Sequence, residues 1–243
     1  ENQVRKIKLV IWVTGGKGGT GKSTFARGVL EALLAARFRV IAVDGDPENA
    51  QLHRYYKTMG DGVIRTELAK RNGGDAILEA MEEYEPEVIL VDVAAGGSQI
   101  LMRLQDESLF LSDAREMGYD FTIASVVSPI KDSVNMLKMA MDTTEGHSVR
   151  HVAVKNLNFG TEDEFELFES SKTKQRFEEA GGTIISMRSL WHLTYGAVDK
   201  YDLPFSVASQ KDSGLPRGDR NRIRQWLTCL GEQIALADGA FGL

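Results

Sequence analysis

Short apolar runs alternate with longer segments of helical periodicity along the whole chain. The runs are Ile7 to Val13, Val40 to Val43, Val88 to Val93, Phe121 to Val127, Val152 to Val154 and Thr183 to Met187. Uninterrupted apolar stretches of this length suit strands buried on both faces, as in a parallel sheet covered by helices. Between the first two runs, Phe25, Val29, Leu30, Leu33 and Leu34 recur at helical spacing within Ser23 to Ala36. That order predicts a strand, loop, helix, strand unit. Further helices are predicted at Asp75 to Glu83, Ile100 to Arg115, Ser133 to Met141, Glu162 to Ala180 with room for a break, and Arg217 to Ala237. The pattern predicts one doubly wound α/β domain over residues 1–243, with a mostly parallel sheet and helices on both faces. Ligands are then expected beyond the carboxyl ends of the strands. No linker, low-complexity tract or internal repeat interrupts the alternation.

Composition narrows the class. The 243 residues are 42% hydrophobic and 26% charged, and 29 Lys plus Arg stand against 35 Asp plus Glu for a net charge of −6. This excludes a basic nucleic-acid coat and a polycationic membrane binder. A lone cysteine, Cys229, cannot form an internal disulfide. Its spacing with Ile223, Trp226, Leu230 and Ile234 predicts a buried, inert thiol on the apolar side of the last helix. No apolar run approaches the roughly 18 to 20 residues that span a bilayer, and the residues around Arg5, Lys6 and Lys8 do not form a signal peptide. A cytoplasmic location is therefore expected. Several of the 24 glycines are gathered in one place.

That place lies between the first strand and the first helix. Gly16-Lys17-Gly18-Gly19-Thr20-Gly21-Lys22-Ser23, followed by Thr24, satisfies the P-loop spacing of Gly, four residues, Gly, Lys and Ser or Thr. Backbone amides must wrap closely around phosphate oxygens, which side chains would obstruct, and the helix N-terminus adds a favourable dipole. Lys22 is expected to reach the β and γ phosphates and the Ser23 hydroxyl to ligate Mg²⁺. Two carboxylate segments accompany it. Val43-Asp44-Gly45-Asp46-Pro47 ends the second strand, where Asp44 and Asp46 face the nucleotide crevice. Val88-Ile89-Leu90-Val91-Asp92 has the Walker B form, in which a strand-terminal aspartate holds the Mg²⁺ shell. The small residues Ala94 to Gly97 behind it suit a mobile switch II.

The double-lysine loop, Lys17 five residues before Lys22, resembles the deviant Walker A signature of ParA/MinD-type ATPases. The resemblance implies ATP and Mg²⁺ as ligands and a homodimer formed on ATP binding. It also implies that Lys17 crosses the dimer to the other subunit's phosphates; a solvated loop charge is the other reading of Lys17. By the same resemblance Asp44 to Pro47 is switch I, Asp46 positions the attacking water and Asp44 is its metal-side neighbour, although Glu48-Asn49 departs from the Gln and Gly of many partition ATPases. Asn156, in Lys155-Asn156-Leu157-Asn158, is either an adenine contact or an ordinary turn residue. Since that segment is not the Asn-Lys-x-Asp guanine motif, ATP is expected over GTP.

Composition separates the relatives. One cysteine excludes nitrogenase-like iron proteins, which need two per subunit. The last tyrosine is Tyr201, unlike the C-terminal tyrosine clusters of related kinases, and residues 238–243 lack the basic amphipathic character of a MinD-like membrane tail. A ParA-like switch in plasmid or DNA partition, or in positioning for conjugative transfer, is the leading expectation, with a stimulating partner protein. Arg217, Arg220, Arg222 and Arg224 open the last helix and are either a non-specific DNA contact or a solvated face. The acidic run Thr161 to Glu169 reads as a solvated helix face, with a partner site as the alternative. Two alternatives are an ATP-dependent metabolic or cofactor-assembly enzyme on the same fold and a weakly hydrolysing nucleotide-binding scaffold.

Overall fold

The computed structural model describes residues 7–16 and 18–243. Seven strands form one sheet in the order β3-β2-β4-β1-β5-β6-β7. They are β1 Leu9–Gly15, β2 Val40–Gly45, β3 Val63–Arg65, β4 Val88–Val93, β5 Asp120–Val127, β6 Val149–Asn156 and β7 Thr183–Met187. Every pairing is parallel. The helices are α1 Lys22–Ala35, α2 Gln51–Tyr56, α3 Asp75–Tyr84, α4 Gly97–Ser108, α5 Phe110–Glu116, α6 Lys131–Thr143, α7 Glu166–Glu169, α8 Lys172–Glu179, α9 His192–Lys200, α10 Phe205–Ala208 and α11 Arg217–Ala235.

The doubly wound parallel architecture is the one that the apolar runs predict. All seven residues of β1 are buried, because its alternate side chains feed two separate cores. Leu9, Ile11 and Val13 pack with Phe25 and Leu30 of α1 and with Trp226 and Leu230 of α11. Val10 and Trp12 face the other way, among Ile77 and Met81 of α3, Leu101 and Leu104 of α4, and Phe110 of α5. Trp12 sits 6.0 Å from the Phe110 ring and 6.3 Å from Phe121. A third cluster joins Val127 and Ala153 to Leu137 of α6 and to Phe165, Phe168 and Phe177.

Several elements differ from the sequence reading. The single helix predicted over 100–115 is two helices, α4 and α5, split at Leu109, whose φ of 52° is left-handed. Gln105 bridges the break by accepting the Leu111 N–H at 2.8 Å. Apolar spacing runs on through the break and does not reveal it. The 162–180 segment divides into a 3-10 turn, Glu162–Glu164, then α7 and α8. Ser171 starts α8 by accepting the Lys174 N–H. The acidic run there is not merely a solvated face: Glu162 and Glu169 pair at 3.2 and 2.5 Å with the nearly buried Lys155 at the end of β6. The short elements α2, β3, α9 and α10 carry too few residues for a periodic signal.

Candidate nucleotide-binding site

The site grows from the end of β1. Gly15 passes so close to β5 that an added Cβ would lie 2.8 Å from the Val126 carbonyl. Gly21 closes the loop at φ 91°, and a Cβ there would meet the Asn156 amide at 2.2 Å. Only glycine satisfies both constraints. Asn156 donates from Nδ2 to the Thr20 carbonyl at 2.8 Å, and its Oδ1 accepts the Asn158 N–H at 3.0 Å. The Asn156 amide therefore braces the loop from the end of β6. The first turn of α1 has neither a side-chain cap nor an acidic residue, which leaves its N–H groups to an anion. Gly16 and Thr20 are buried, while Gly18 and Gly19 are exposed at the rim. Lys17 lies outside the described residues.

Two aspartates stand beside the loop as register partners, Asp44 on β2 opposite Asp92 on β4, and Asp92 is also opposite Val13 on β1. Both are about 1% exposed, yet their surroundings differ. Asp44 accepts the Asp46 N–H at 3.2 Å and the His53 N–H at 2.9 Å. It thus ties down both the 46–50 loop and the start of α2, a helix whose own N-cap has no side-chain bond. Burial raises its pKa, and these two amides pull it back. Neither oxygen of Asp92 has a hydrogen-bond partner among the described residues. Burial pushes its carboxyl up to about 7; the nearby Ser23 hydroxyl and the Lys22 ammonium pull against that rise, without the hydroxyl reaching hydrogen-bonding geometry. Lys22 is itself buried, which lowers its pKa against the attraction of Asp92 and Asp46.

This arrangement fits a divalent cation. Two buried carboxylate oxygens without partners are costly unless a proton or a cation satisfies them, and carboxylate and hydroxyl oxygens are the donors magnesium takes. Asp92 and Ser23 supply them. Asp44, expected on the metal side, has both oxygens committed to backbone amides.

Asp46 lines the same cleft. One of its oxygens accepts the Glu48 and Asn49 N–H groups at 3.0 and 3.1 Å, an Asx turn of the kind Asp and Pro favour. The turn and the site are therefore one structure. The cleft, about 720 Å³, runs from Gly18, Lys22 and Ser23 past Asp46 to Asn156, Asn158 and Phe159 and to the 187–195 segment. Sequence reasoning missed Arg188, Leu190, His192 and Tyr195 there, because they sit on irregular or short elements brought to the loop only by the sheet order.

The other expected residues are placed as follows. Thr24 opens onto the cleft and its hydroxyl lies 3.2 Å from that of Tyr195. Arg217, Arg220 and Arg224 share one face of α11 by helical spacing. Arg222 turns away, stacked 4.6 Å over the Trp191 ring and paired with Asp219 at 3.0 Å. Cys229 is not buried in the core as expected: it is half-exposed in a groove, where Arg188 and Gln225 donate to its Sγ at 3.3 and 3.4 Å.

A glycine cradle at the end of a central parallel strand, with its lysine and the carboxylates of two neighbouring strands, defines a P-loop nucleotide-binding domain. Residues 11–157 match the family model described as the CobQ/CobB/MinD/ParA nucleotide binding domain, and the chain belongs to that family. It is similar to Protein MobD of Acidithiobacillus ferrooxidans, 26% identical over 221 residues, covering 90% of this chain and 93% of that protein. In fold it resembles the cell division ATPase MinD of Pyrococcus furiosus, with a TM-score of 0.54 at 16% identity over 94% of this chain and 99% of that one. The septum site-determining protein MinD of Pyrococcus horikoshii, complexed with Mg-ADP, gives 0.51 at 15% identity over 97% and 99%. No helix among the described residues is long and apolar enough to cross a membrane.

Proposed function

We propose that this chain is a Mg-ATP-binding and hydrolysing ATPase of ParA type, an ATP-dependent dimer switch that positions DNA in partition or conjugative transfer. The observation that carries the nucleotide chemistry is Asp92, a buried carboxylate without a hydrogen-bond partner among the described residues, beside the Lys22 and Ser23 of a glycine cradle. Loop amides of Gly16 to Gly21 and the α1 N-terminus receive the phosphates, and Lys22 offsets their charge. Ser23 and Asp92 would hold Mg²⁺, which supplies charge neutralisation on the phosphates. Asp46, fixed by its Asx turn and by Asp44 behind it, orients water in the cleft. Lys17 contacts the phosphates of the second subunit, which makes the dimer depend on ATP. The MinD-like fold supports the switch reading. The Arg217, Arg220 and Arg224 face supports contact with duplex DNA.

Sedimentation of the Asp46→Ala protein with Mg-ATP, with and without duplex DNA, tests this directly. A trapped dimer that binds DNA, and loses it steeply with salt, is expected. A protein that stays monomeric with ATP bound would overturn the switch reading.

A further inference from the structure

The wall of the cleft contains a contact that the P-loop chemistry does not use. Tyr195, on α9, places its hydroxyl 3.2 Å from Thr24 Oγ1 on α1 and 3.4 Å from Gln51 Oε1, the first residue of α2. The same oxygen accepts from Arg27 Nη1 at 3.3 Å. One phenol thus joins the helix that follows the phosphate loop, the helix that follows the Asp46 turn, and α9. Further contacts tie these elements together. Arg27 is fully buried, with its guanidinium 3.8 Å from the Tyr55 ring centre and 4.1 Å from that of Phe205. Helix α2 is fastened to the end of α9 by Arg54 with Asp199 and Asp202, and by the Tyr55 hydroxyl with Asp199.

A phenol has one proton to give. Either oxygen of the Thr24–Tyr195 pair can be the donor; where Thr24 donates alongside Arg27, Tyr195 gives its proton to Gln51 and holds the start of α2. When a phosphate draws the Thr24 proton toward itself, the Thr24 oxygen becomes an acceptor, and the Tyr195 proton turns to it and leaves Gln51. We infer that Tyr195 is a positioning residue whose single hydroxyl transmits nucleotide occupancy of the phosphate loop to helix α2 and the Asp46 turn. The inference rests on the nucleotide-binding reading above.

Hydrogen–deuterium exchange of residues 46–56, measured with and without Mg-ADP, tests the coupling independently of turnover. Wild-type protein is expected to change its exchange there on binding. Tyr195→Phe keeps the ring packed and is expected to bind Mg-ADP within about twofold of wild type while losing that change. Its kcat for ATP should fall about three- to tenfold, the loss of one hydrogen bond, with KM unchanged. Gln51→Ala should do the same, and the double variant should be no worse than either single one. A full exchange response in Tyr195→Phe, or wild type that binds Mg-ADP without any change in 46–56, would overturn the inference. A flat binding titration for wild type would instead overturn the nucleotide reading, and the coupling with it.

Discussion

Asp44 and Asp92 are the same residue type at matched positions on adjacent strands, and their hydrogen-bond surroundings are opposite. Asp44 is satisfied by two backbone amides from the chain that follows it. Asp92 is equally buried and lacks any hydrogen-bond partner among the described residues. The first carboxylate spends its lone pairs on backbone amides and so builds the loop; the second faces the Lys22 and Ser23 end of the phosphate loop with its oxygens uncommitted among the described residues. Burial alone therefore says little about a carboxylate's role, and the accounting of its partners says much.

The largest effect is expected from removing the ammonium beside Asp92. Lys22→Ala should reduce nucleotide affinity at least about a hundredfold by equilibrium titration, since a charge-assisted phosphate contact is lost from a buried site. Next, Asp92→Asn should lower magnesium-dependent nucleotide affinity about tenfold or more and leave unfolding stability equal to or above wild type, because it removes a buried carboxylate that no hydrogen bond among the described residues satisfies. Asp44→Ala should behave in the reverse way: about 2–3 kcal/mol of stability lost in urea unfolding, as the Asp46 and His53 amides are orphaned. Equal stability losses in the two variants would erase the distinction.

The pH dependence sharpens it further. The folded-state pKa of Asp92 is raised from 3.8 to about 7, so between those values the native state holds a proton that the unfolded chain has released. Its contribution to stability is present at low pH and is lost as pH rises toward 7. Asp44 is shifted in the same direction. Unfolding curves of the ligand-free protein should show this decline, and Asp92→Asn should flatten it. Magnesium competes with the same proton, so metal-dependent nucleotide affinity should weaken as pH falls below about 7. The smallest effect is expected for Asn156→Ala, which frees the Thr20 carbonyl and should weaken nucleotide binding by about three- to tenfold while the fold persists.

How much of this was legible in the sequence follows from how local each signal is. The phosphate loop and the Asp92 strand end are contiguous patterns on regular elements, and the sheet brings them together as the βαβ rule requires. The division of labour between Asp44 and Asp92 was not legible, because it depends on the backbone of His53, nine residues away, folding back onto Asp44. Tyr195 and Arg27 meet across most of the chain, which no spacing rule reaches. Cys229 was misplaced because it stands at the edge of the apolar stripe, three residues after Trp226 and one before Leu230. The groove beside Arg188 decides its exposure. The acidic run is exposed as read, but the pairing of Glu162 and Glu169 with Lys155 was not legible, because Lys155 lies at the end of a separate strand.

The central position of β1 has a kinetic meaning. Leu9 pairs with Val88 on one side and with Asp120 on the other, so the strand that launches the phosphate loop has no neighbour until long stretches of later chain have been made. The glycine loop precedes the strands that wall it in, so a chain stopped before Val127 holds the motif without its β5 and β6 neighbours. The close approach of Gly15 to Val126 and the Asn156 brace on Thr20 come from β5 and β6, so the loop takes its final shape only after both strands have docked.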